Sequence, residues 1–543
     1  MKFDLKKRGV FMGIIALVFL ATTAYKNDYF EIAKQLDIFT SLFKEVNMNY
    51  VDETNPADLM QESVKQMLNE LDPYTTYMTE QDVERARINQ SRAYVGIGAT
   101  INSSKNKLVV VEVYKDLPAD KVGLKAGDEI IKIEGLDVSD LEDGATQFLN
   151  GKKNTTVKLV YRRNGKTTEV SVARADVKPK AVPVYKLLPN GIGYIALDRF
   201  TKTASKEVEN ALKLMLIDEA KGVILDLRNN PGGLLQEAVK IVNLFVPKGQ
   251  LVVSTKSKVE AYNQTFETQK QPLSLDIPLV ILINQNSASA SEIVAGALQD
   301  LDRAVVMGKR SYGKGLVQRP KPLPYGSQLK VTISRYYTPS GRCIQALDYR
   351  NRKKNGAAIR YKENQYTAFK TKNGRTVYDG GGINPDVIIG NEETNKFIET
   401  LLKSSLVFDF SNQYYHNNTV VDLESFQLNK KDLERFKNMS LDEKYGTIGE
   451  TQENLNQLKR EFKEDGFGAI KSNLEDLEIA LQTSKLKLIE DFEPKIRSVL
   501  EEEIIKRYFY REGMYAYFLA TNKEVFKAQE IINDRDAYNN LLK

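Results

Sequence analysis

From Val182 to about Gly390, apolar runs of strand length alternate with helical segments, and this alternation limits the possible folds more than any other feature of the chain. Gly193–Leu197 precedes a helical stretch over Ser205–Ala220, and Gly222–Leu227 precedes another over Leu234–Phe245. Leu279–Ile283 ends at Asn284, a helix is expected over Ser291–Asp300, and Arg303–Met307 then returns as a strand. Buried strands joined through helices predict α/β layers around a largely parallel sheet.

The flanking regions follow other patterns. Residues 25–92 carry helical periodicity (Ile32, Leu36, Phe39, Leu42, Phe43, Val46) and reach a turn at Leu71–Tyr74, which predicts a helical lead-in. From 93 to 177 short β-rich runs (Leu108–Val113, Val157–Tyr161, Thr168–Val172) are punctuated by glycine turns, as in a small β module. Residues 396–543 are mostly helical, with apolar spacing at Leu474, Leu477, Leu481, Leu488 and again at Ile496, Leu500, Ile504, Tyr508. Their chemistry is silent.

A chain of 543 residues exceeds one ordinary core, and domains of roughly 100–200 residues imply three or four units. With 42% hydrophobic and 28% charged residues it reads as a soluble globular protein. The 78 Lys and Arg barely exceed the 72 Asp and Glu and form no blocks, so nucleic acid is not an expected partner. Cys343 is the only cysteine, which excludes an internal disulfide. Residues 1–24 place Lys2, Lys6, Lys7 and Arg8 before the apolar run Val10–Ala21, a run short for a bilayer span and followed by the small residues Thr22–Ala24. The expectation is export, with the segment either cleaved or kept as a membrane anchor.

Two loops carry candidate chemistry. Ser289 falls at a strand-to-helix turn, where free N–H groups can hold an oxyanion. Ser289–Glu292 also fits the S-x-x-E capping box, in which the serine merely caps the helix. Gly308–Lys314 matches the first seven positions of a phosphate-binding loop. However, Gly315 stands where Ser or Thr must hold magnesium, and the proline-containing Leu316–Pro322 cannot supply the helix that should follow. Lys314 is then either a solvated lysine in a glycine turn or, if burial depresses its pKa, a general base for Ser289. The single histidine, His416, lies in the polar stretch Tyr414–Asn418, expected to be a surface loop remote from both. A second glycine turn, Asp226–Gly233, could present another amide to an oxyanion or be a plain connection.

SASASEIVAGALQD followed by GKRSYGKGLVQ resembles the signature of carboxyl-terminal processing peptidases, the tail-specific Ser-Lys proteases of family S41. The likeness runs over about residues 28–390, through Leu71–Thr75, Tyr94–Ala99, Ala119–Glu134, Asp226–Gly233, Tyr337–Arg342 and Gly381–Asp386. It implies a multidomain α/β protein: a protease core over 178–395, a β-rich PDZ domain over 93–177, and helical N- and C-terminal regions. It further implies Ser289 as nucleophile, Lys314 as base, and Gln318 as the residue orienting the lysine. The oxyanion donors carry over as the amides of Ala290 and of the Gly232–Gly233 turn. Asp300 matches an acidic position of the family but is given a structural role, because a carboxylate beside Lys314 would raise the amine's pKa. Val95, Gly96, Ile97, Gly98 and Ala99 correspond to the PDZ loop whose amides receive a peptide's C-terminal carboxylate.

The resulting expectation is an exported serine endopeptidase, periplasmic or in the cell envelope, that needs no metal or cofactor and acts on proteins and peptides with free C-termini. Membrane association through the N-terminus and self-assembly stay open. Two alternatives stand beside it: an inactive PDZ scaffold in which Ser289 only caps a helix, and a crotonase-like acyl-transfer enzyme, which the PDZ module and the exported N-terminus disfavour.

Overall fold

The structure is a computed structural model that describes residues 29–91, 94–104, 107–141, 145–353, 356–390, 395–423, 425–446, 448–465 and 470–543. The basic and apolar segment expected to direct export lies outside the described residues. Among those described, no helix is long and apolar enough to cross a membrane.

Residues up to Thr79, together with Pro320–Val331, form one compact unit. It holds a helix over 29–49 and a second over Pro56–Asn69, started by Asn55, whose side chain accepts from the Ala57 and Asp58 amides. The expected turn at Leu71–Tyr74 is present, with Asp72 Oδ1 accepting from the N–H groups of Tyr74 and Thr75 at 2.8 Å each. The lead-in is not all helical. Thr76–Met78 is a strand that pairs antiparallel with residues 328–330, a partner some 250 residues away that local periodicity cannot reveal.

The second unit contains everything else. Its β-rich module is a six-stranded antiparallel sheet in which β1 (Ala99–Ser104), β2 (Lys107–Val113), β3 (Glu129–Ile133), β4 (Thr156–Arg163) and β5 (Lys166–Ala173) lie in that spatial order, with the short strand Leu136–Asp137 pairing with β3. Alternation puts Leu108, Val110, Ile130, Ile133, Val157, Leu159 and Val172 into a single core. Strand β1 is an edge strand.

The α/β part has a six-stranded sheet in the order β6 (Val184–Leu187), β7 (Ile192–Ala196), β8 (Gly222–Asp226), β9 (Leu279–Ile283), β10 (Val305–Gly308) and β11 (Val387–Ile388). All neighbours from β7 onward are parallel, as the strand–helix alternation predicts, whereas β6, which that alternation does not announce, pairs antiparallel with β7. Helices α1 (Ala204–Ile217), α2 (Leu235–Val242) and α3 (Ala290–Asp300) bury one face of the sheet through Val208, Leu212, Ala238, Ile241, Val294 and Leu298, against Val223, Leu225, Leu279, Ile281 and Val306.

The other face is covered by the end of the chain. Ile224, Val280, Leu282, Val305 and Met307 pack against Leu519, Val525, Ala528, Ile531, Ile532 and Tyr538. The tail opens with helices that include α4 (Ser405–Asn417), and these residues belong to the end of α5 (Glu493–Thr521), to α6 (Lys523–Asn533) and to α7 (Arg535–Leu541); a Cβ on Gly222 of β8 would lie 2.3 Å from Ile532 Cγ2. The apolar spacing of the tail, silent about chemistry, thus supplies a layer of the sheet's sandwich. The rest of the tail builds its own helical core around Leu406, Phe410, Phe436, Leu500 and Ile504.

His416 is not in a surface loop. It occupies the last turn of a helix over Ser405–Asn417, whose Phe410 and Tyr414 are buried. The polar run Tyr414–Asn418 reads as a loop because it is the end of an amphipathic helix, where the buried Tyr414 is followed by partly buried and then exposed polar residues.

Candidate active site

Strands β8, β9 and β10 are adjacent and parallel, so the loops leaving their carboxyl ends emerge side by side, where open α/β sheets place their ligands. These loops are Asp226–Gly233, Asn284–Ser289 and Lys309–Lys314. The sheet order therefore brings together three segments that the sequence keeps apart.

The first two loops are stitched along their length. Ser287 Oγ donates to the Leu227 carbonyl at 2.8 Å, the Ala288 N–H and Ser291 Oγ donate to the Asn230 carbonyl at 3.0 and 2.9 Å, and Asn284 Nδ2 donates to Asn229 Oδ1 at 2.9 Å. The serines of the run thereby separate by role. Ser287 and Ser291 are fully buried ties between loops, whereas Ser289 between them is partly exposed.

Ser289 has φ 57° and ψ −113°, outside the extended region that a capping serine adopts. For a residue with a side chain this left-handed conformation is strained, and such strain gathers at functional sites. Its N–H donates to Glu292 Oε2 at 2.7 Å. The capping-box pattern is thus real, but its acid does more than hold a helix end.

Glu292 is completely buried and accepts four hydrogen bonds. Oε2 takes the N–H groups of Ser289 and Lys314, at 2.7 and 3.0 Å, while Oε1 takes Ser311 Oγ and the Gly313 N–H, at 2.5 and 2.7 Å. Burial pushes its pKa up to about 7, against the opposing pull of these donors. One carboxylate oxygen therefore holds the backbones of Ser289 and Lys314 together. A second tie comes from Tyr336, fully buried, whose hydroxyl lies 2.6 Å from the Lys314 carbonyl oxygen and 3.2 Å from that of Ser289.

The glycines beside Lys314 permit a close approach of backbone. A Cβ on Gly313 would fall 2.3 Å from Ala346 Cβ and one on Gly315 2.9 Å from the Gln345 nitrogen, so only glycine lets this segment lie against residues 345–346. That approach is fixed by the Ala346 N–H donating to the Gly313 carbonyl at 2.9 Å and the Gly315 N–H donating to Gln345 Oε1 at 2.8 Å. Lys314 is partly buried, and a strand, Leu316–Pro322, follows it in place of the helix a phosphate loop needs. Gln318 lies on that strand and donates from Nε2 to Thr332 Oγ1 at 3.2 Å.

The second glycine turn abuts the Ser289 loop. A Cβ on Gly232 (φ 96°) would sit 2.6 Å from the Ala288 carbonyl oxygen and 2.8 Å from both the Ala290 nitrogen and Ser289 Cβ. Only part of the expected donor set fits, however. The Gly232 N–H is committed to Asn230 Oδ1 at 2.9 Å, so the turn offers the N–H of Gly233, beside that of Ala290 at the first position of α3.

Asp300 pairs with Arg342 at 2.7 Å, both side chains buried, and accepts from the Ser340 N–H at 3.0 Å, in keeping with a structural role. His416 is half-buried, its pKa lowered by burial and by Arg163; its charged neighbours are Arg163, Asp128 and Arg507, none of them in these loops.

In the β-rich module, Val95 and Gly96 pair with Asp176 and Ala175. The carbonyls of Ile97 and Gly98 accept from the N–H groups of Ala119 and Tyr114, at 2.8 and 3.0 Å. Ala99 then opens edge strand β1.

In the sequence Glu292 reads only as a cap partner, although an acid three residues into an otherwise apolar helix start is a visible signal. Tyr336 gives none, since it lies at the end of the strand Gln328–Tyr337, 47 residues beyond Ser289.

Three family profiles match this chain: "Peptidase family S41" over residues 191–351, "PDZ domain" over 95–173, and "Probable PDZ-protease, C-terminal helical domain" over 397–532. It is 36% identical over 346 residues to the carboxy-terminal-processing protease of Bartonella bacilliformis, covering 62% of this chain and 79% of that one. It is 34% identical over 304 residues to a "Probable CtpA-like serine protease" of Staphylococcus haemolyticus, covering 56% and 61%. Among solved structures, the photosystem II D1 C-terminal processing protease aligns at 24% identity over 66% of this chain and 88% of that one, with a TM-score of 0.37.

Proposed function

This chain belongs to peptidase family S41, the carboxy-terminal-processing serine proteases, and carries a PDZ domain; from that premise we propose that Ser289 is the nucleophile and Lys314 its general base. The observation that carries this reading is the shared acceptor. Glu292 Oε2 binds the amides of both residues, and Tyr336 spans their carbonyls.

In this reading, neutral Lys314 takes the proton of Ser289 Oγ as that oxygen attacks the scissile carbonyl. The negative charge that develops is received by the N–H groups of Ala290 and Gly233. The lysine then passes the proton to the leaving amine, and a water releases the acyl group from Ser289 by the same steps in reverse. Gln318, anchored by Thr332, orients the lysine, and no metal or cofactor takes part.

The PDZ domain selects the substrate. With the carbonyls of Ile97 and Gly98 committed internally, the amides of the Val95–Ala99 loop are the groups that receive a terminal carboxylate, and the substrate tail adds as a strand along β1. The substrates are proteins and peptides with free C-termini, met outside the cytoplasm if residues 1–24 direct export.

The test is cleavage of an unfolded reporter ending in a free carboxylate or an amide, with products identified by mass spectrometry. Wild type should cut the free-ended reporter faster, and Ser289→Ala and Lys314→Arg should be inactive, since guanidinium stays charged at any usable pH. Wild-type cleavage by either variant removes that residue from the mechanism. Equal cleavage of both reporters removes tail recognition.

A further inference from the structure

The turn that carries Gly233 is held from behind by the C-terminal helices. Arg228, with its side chain only 8% exposed, begins that turn just beyond β8. Its Nε donates to Asp226 Oδ1 and Oδ2 at 3.0 and 3.1 Å, and its Nη2 also pairs with Asp226. The opposite side of the guanidinium faces the junction of α5 and α6. There Nη1 donates to Asn522 Oδ1 at 3.1 Å and pairs with Glu524, while the guanidinium carbon lies 4.7 Å from the centre of the Phe518 ring. Asn522 is itself fixed as the cap of α6, accepting from the Val525 N–H at 3.0 Å.

We propose that Glu524, aided by Asn522 and Phe518, is a positioning residue for the oxyanion turn, so that the C-terminal helical segment is part of the catalytic apparatus. The inference rests on the Ser289–Lys314 reading above. Arg228 is followed directly by Asn229, tied to Asn284 and Asn286 of the nucleophile loop, and by Asn230, whose side chain orients Gly232 and whose carbonyl holds Ala288 and Ser291. Whatever fixes the Arg228 guanidinium therefore fixes where the turn starts, and through it the direction of the Gly233 N–H. Asp226 ends β8 and is also held by the Tyr194 hydroxyl at 2.7 Å, so it ties one edge of the guanidinium to the sheet and leaves the opposite edge to be fixed from elsewhere. Glu524 comes from a separate layer, anchored to the sheet by Val525, Ala528 and Ile532. A planar guanidinium clamped between carboxylates of two different layers has little freedom to tilt.

Removing the Glu524 charge leaves the apolar seat of α6 intact. The effect expected of a positioning residue is a loss of turnover with substrate binding preserved, since the oxyanion exists only as the reaction proceeds. In the full-length enzyme, Glu524→Gln should lower kcat about 10-fold, with KM changed by less than about 2-fold, because small misplacement of an oxyanion donor costs rate. The rate of Ser289 labelling by a fluorophosphonate should fall in parallel. Glu524→Asp, which retains the charge, should recover much of the loss, a rescue that a merely structural role would not give. Should Glu524→Gln fail to fold, Phe518→Leu removes the ring beside the guanidinium but keeps an apolar side chain, and should lower kcat several-fold.

Wild-type kcat in the folded Glu524→Gln protein, or in folded Phe518→Leu if the former cannot be made, overturns the proposal. So does a loss carried by KM, or one that Glu524→Asp does not relieve. Turnover by Ser289→Ala would overturn the underlying dyad. An inactive Ser289→Ala beside a fully active Glu524→Gln would overturn this inference alone.

Discussion

Replacing Glu292 by glutamine tests whether one buried carboxylate sets the register of Ser289 and Lys314, the proposed nucleophile and base. The carboxylate accepts two donors on each oxygen. A carboxamide has a single oxygen, so one pair must face its NH2 group: either the amides of Ser289 and Lys314, or Ser311 Oγ and the Gly313 N–H. Two buried donors lose their acceptor at about 1–3 kcal/mol each. Against this stands the cost of the buried charge. Raising the pKa from 4.5 to about 7 corresponds to about 3 kcal/mol at pH values well above 7. The raised value means that the folded protein holds this proton more tightly than the unfolded chain. The stability it contributes is therefore complete below about 4.5 and lost as pH rises through about 7. The variant's stability relative to wild type should therefore rise by up to about 3 kcal/mol between pH 5, where Glu292 is protonated, and pH 9, where it is charged. Its kcat should fall about 100-fold, as expected for a displacement of about 1 Å between reacting groups. Urea unfolding at both pH values and steady-state cleavage of an unfolded reporter measure the two effects. A pH-independent stability difference together with a kcat within about 2-fold of wild type would refute the reasoning.

Ser289→Ala and Ser289→Gly should both abolish turnover, but the glycine variant should melt at the higher temperature, since φ 57° strains any residue with a Cβ, typically by about 1–3 kcal/mol; equal melting points would contradict the strained turn. Gly232→Ala should be inactive, because its methyl group would lie 2.8 Å from Ser289 Cβ and from the Ala290 nitrogen; wild-type labelling by a fluorophosphonate would show that the two loops do not meet as described. Deleting residues 519–543 should abolish soluble expression. The buried Leu519, Val525, Ile531 and Ile532 contribute about 1.5–3 kcal/mol each, a total comparable with the about 5–15 kcal/mol stability of a domain, and a soluble, active truncation would argue against that packing.

The residue pattern determined the order of strands and helices from Val182 onward and the parallel sheet, because apolar period and length are local properties. It also marked Ser289 and Lys314 as chemical candidates, because a serine at a strand-to-helix turn and a lysine between glycines are local too. Which serine of the run is exposed was settled by the neighbouring loop, whose Leu227 and Asn230 carbonyls claim Ser287 and Ser291. That Gly233, and not Gly232, has an amide to offer follows from the orientation of one asparagine side chain. Tyr336 and Glu524 reach the site across 47 and 296 residues of sequence, as counted from Ser289 and Arg228. Periodicity describes which face of an element is buried; it carries no information about what lies against that face, and the partners of the Ser289 and Lys314 loops are decided there.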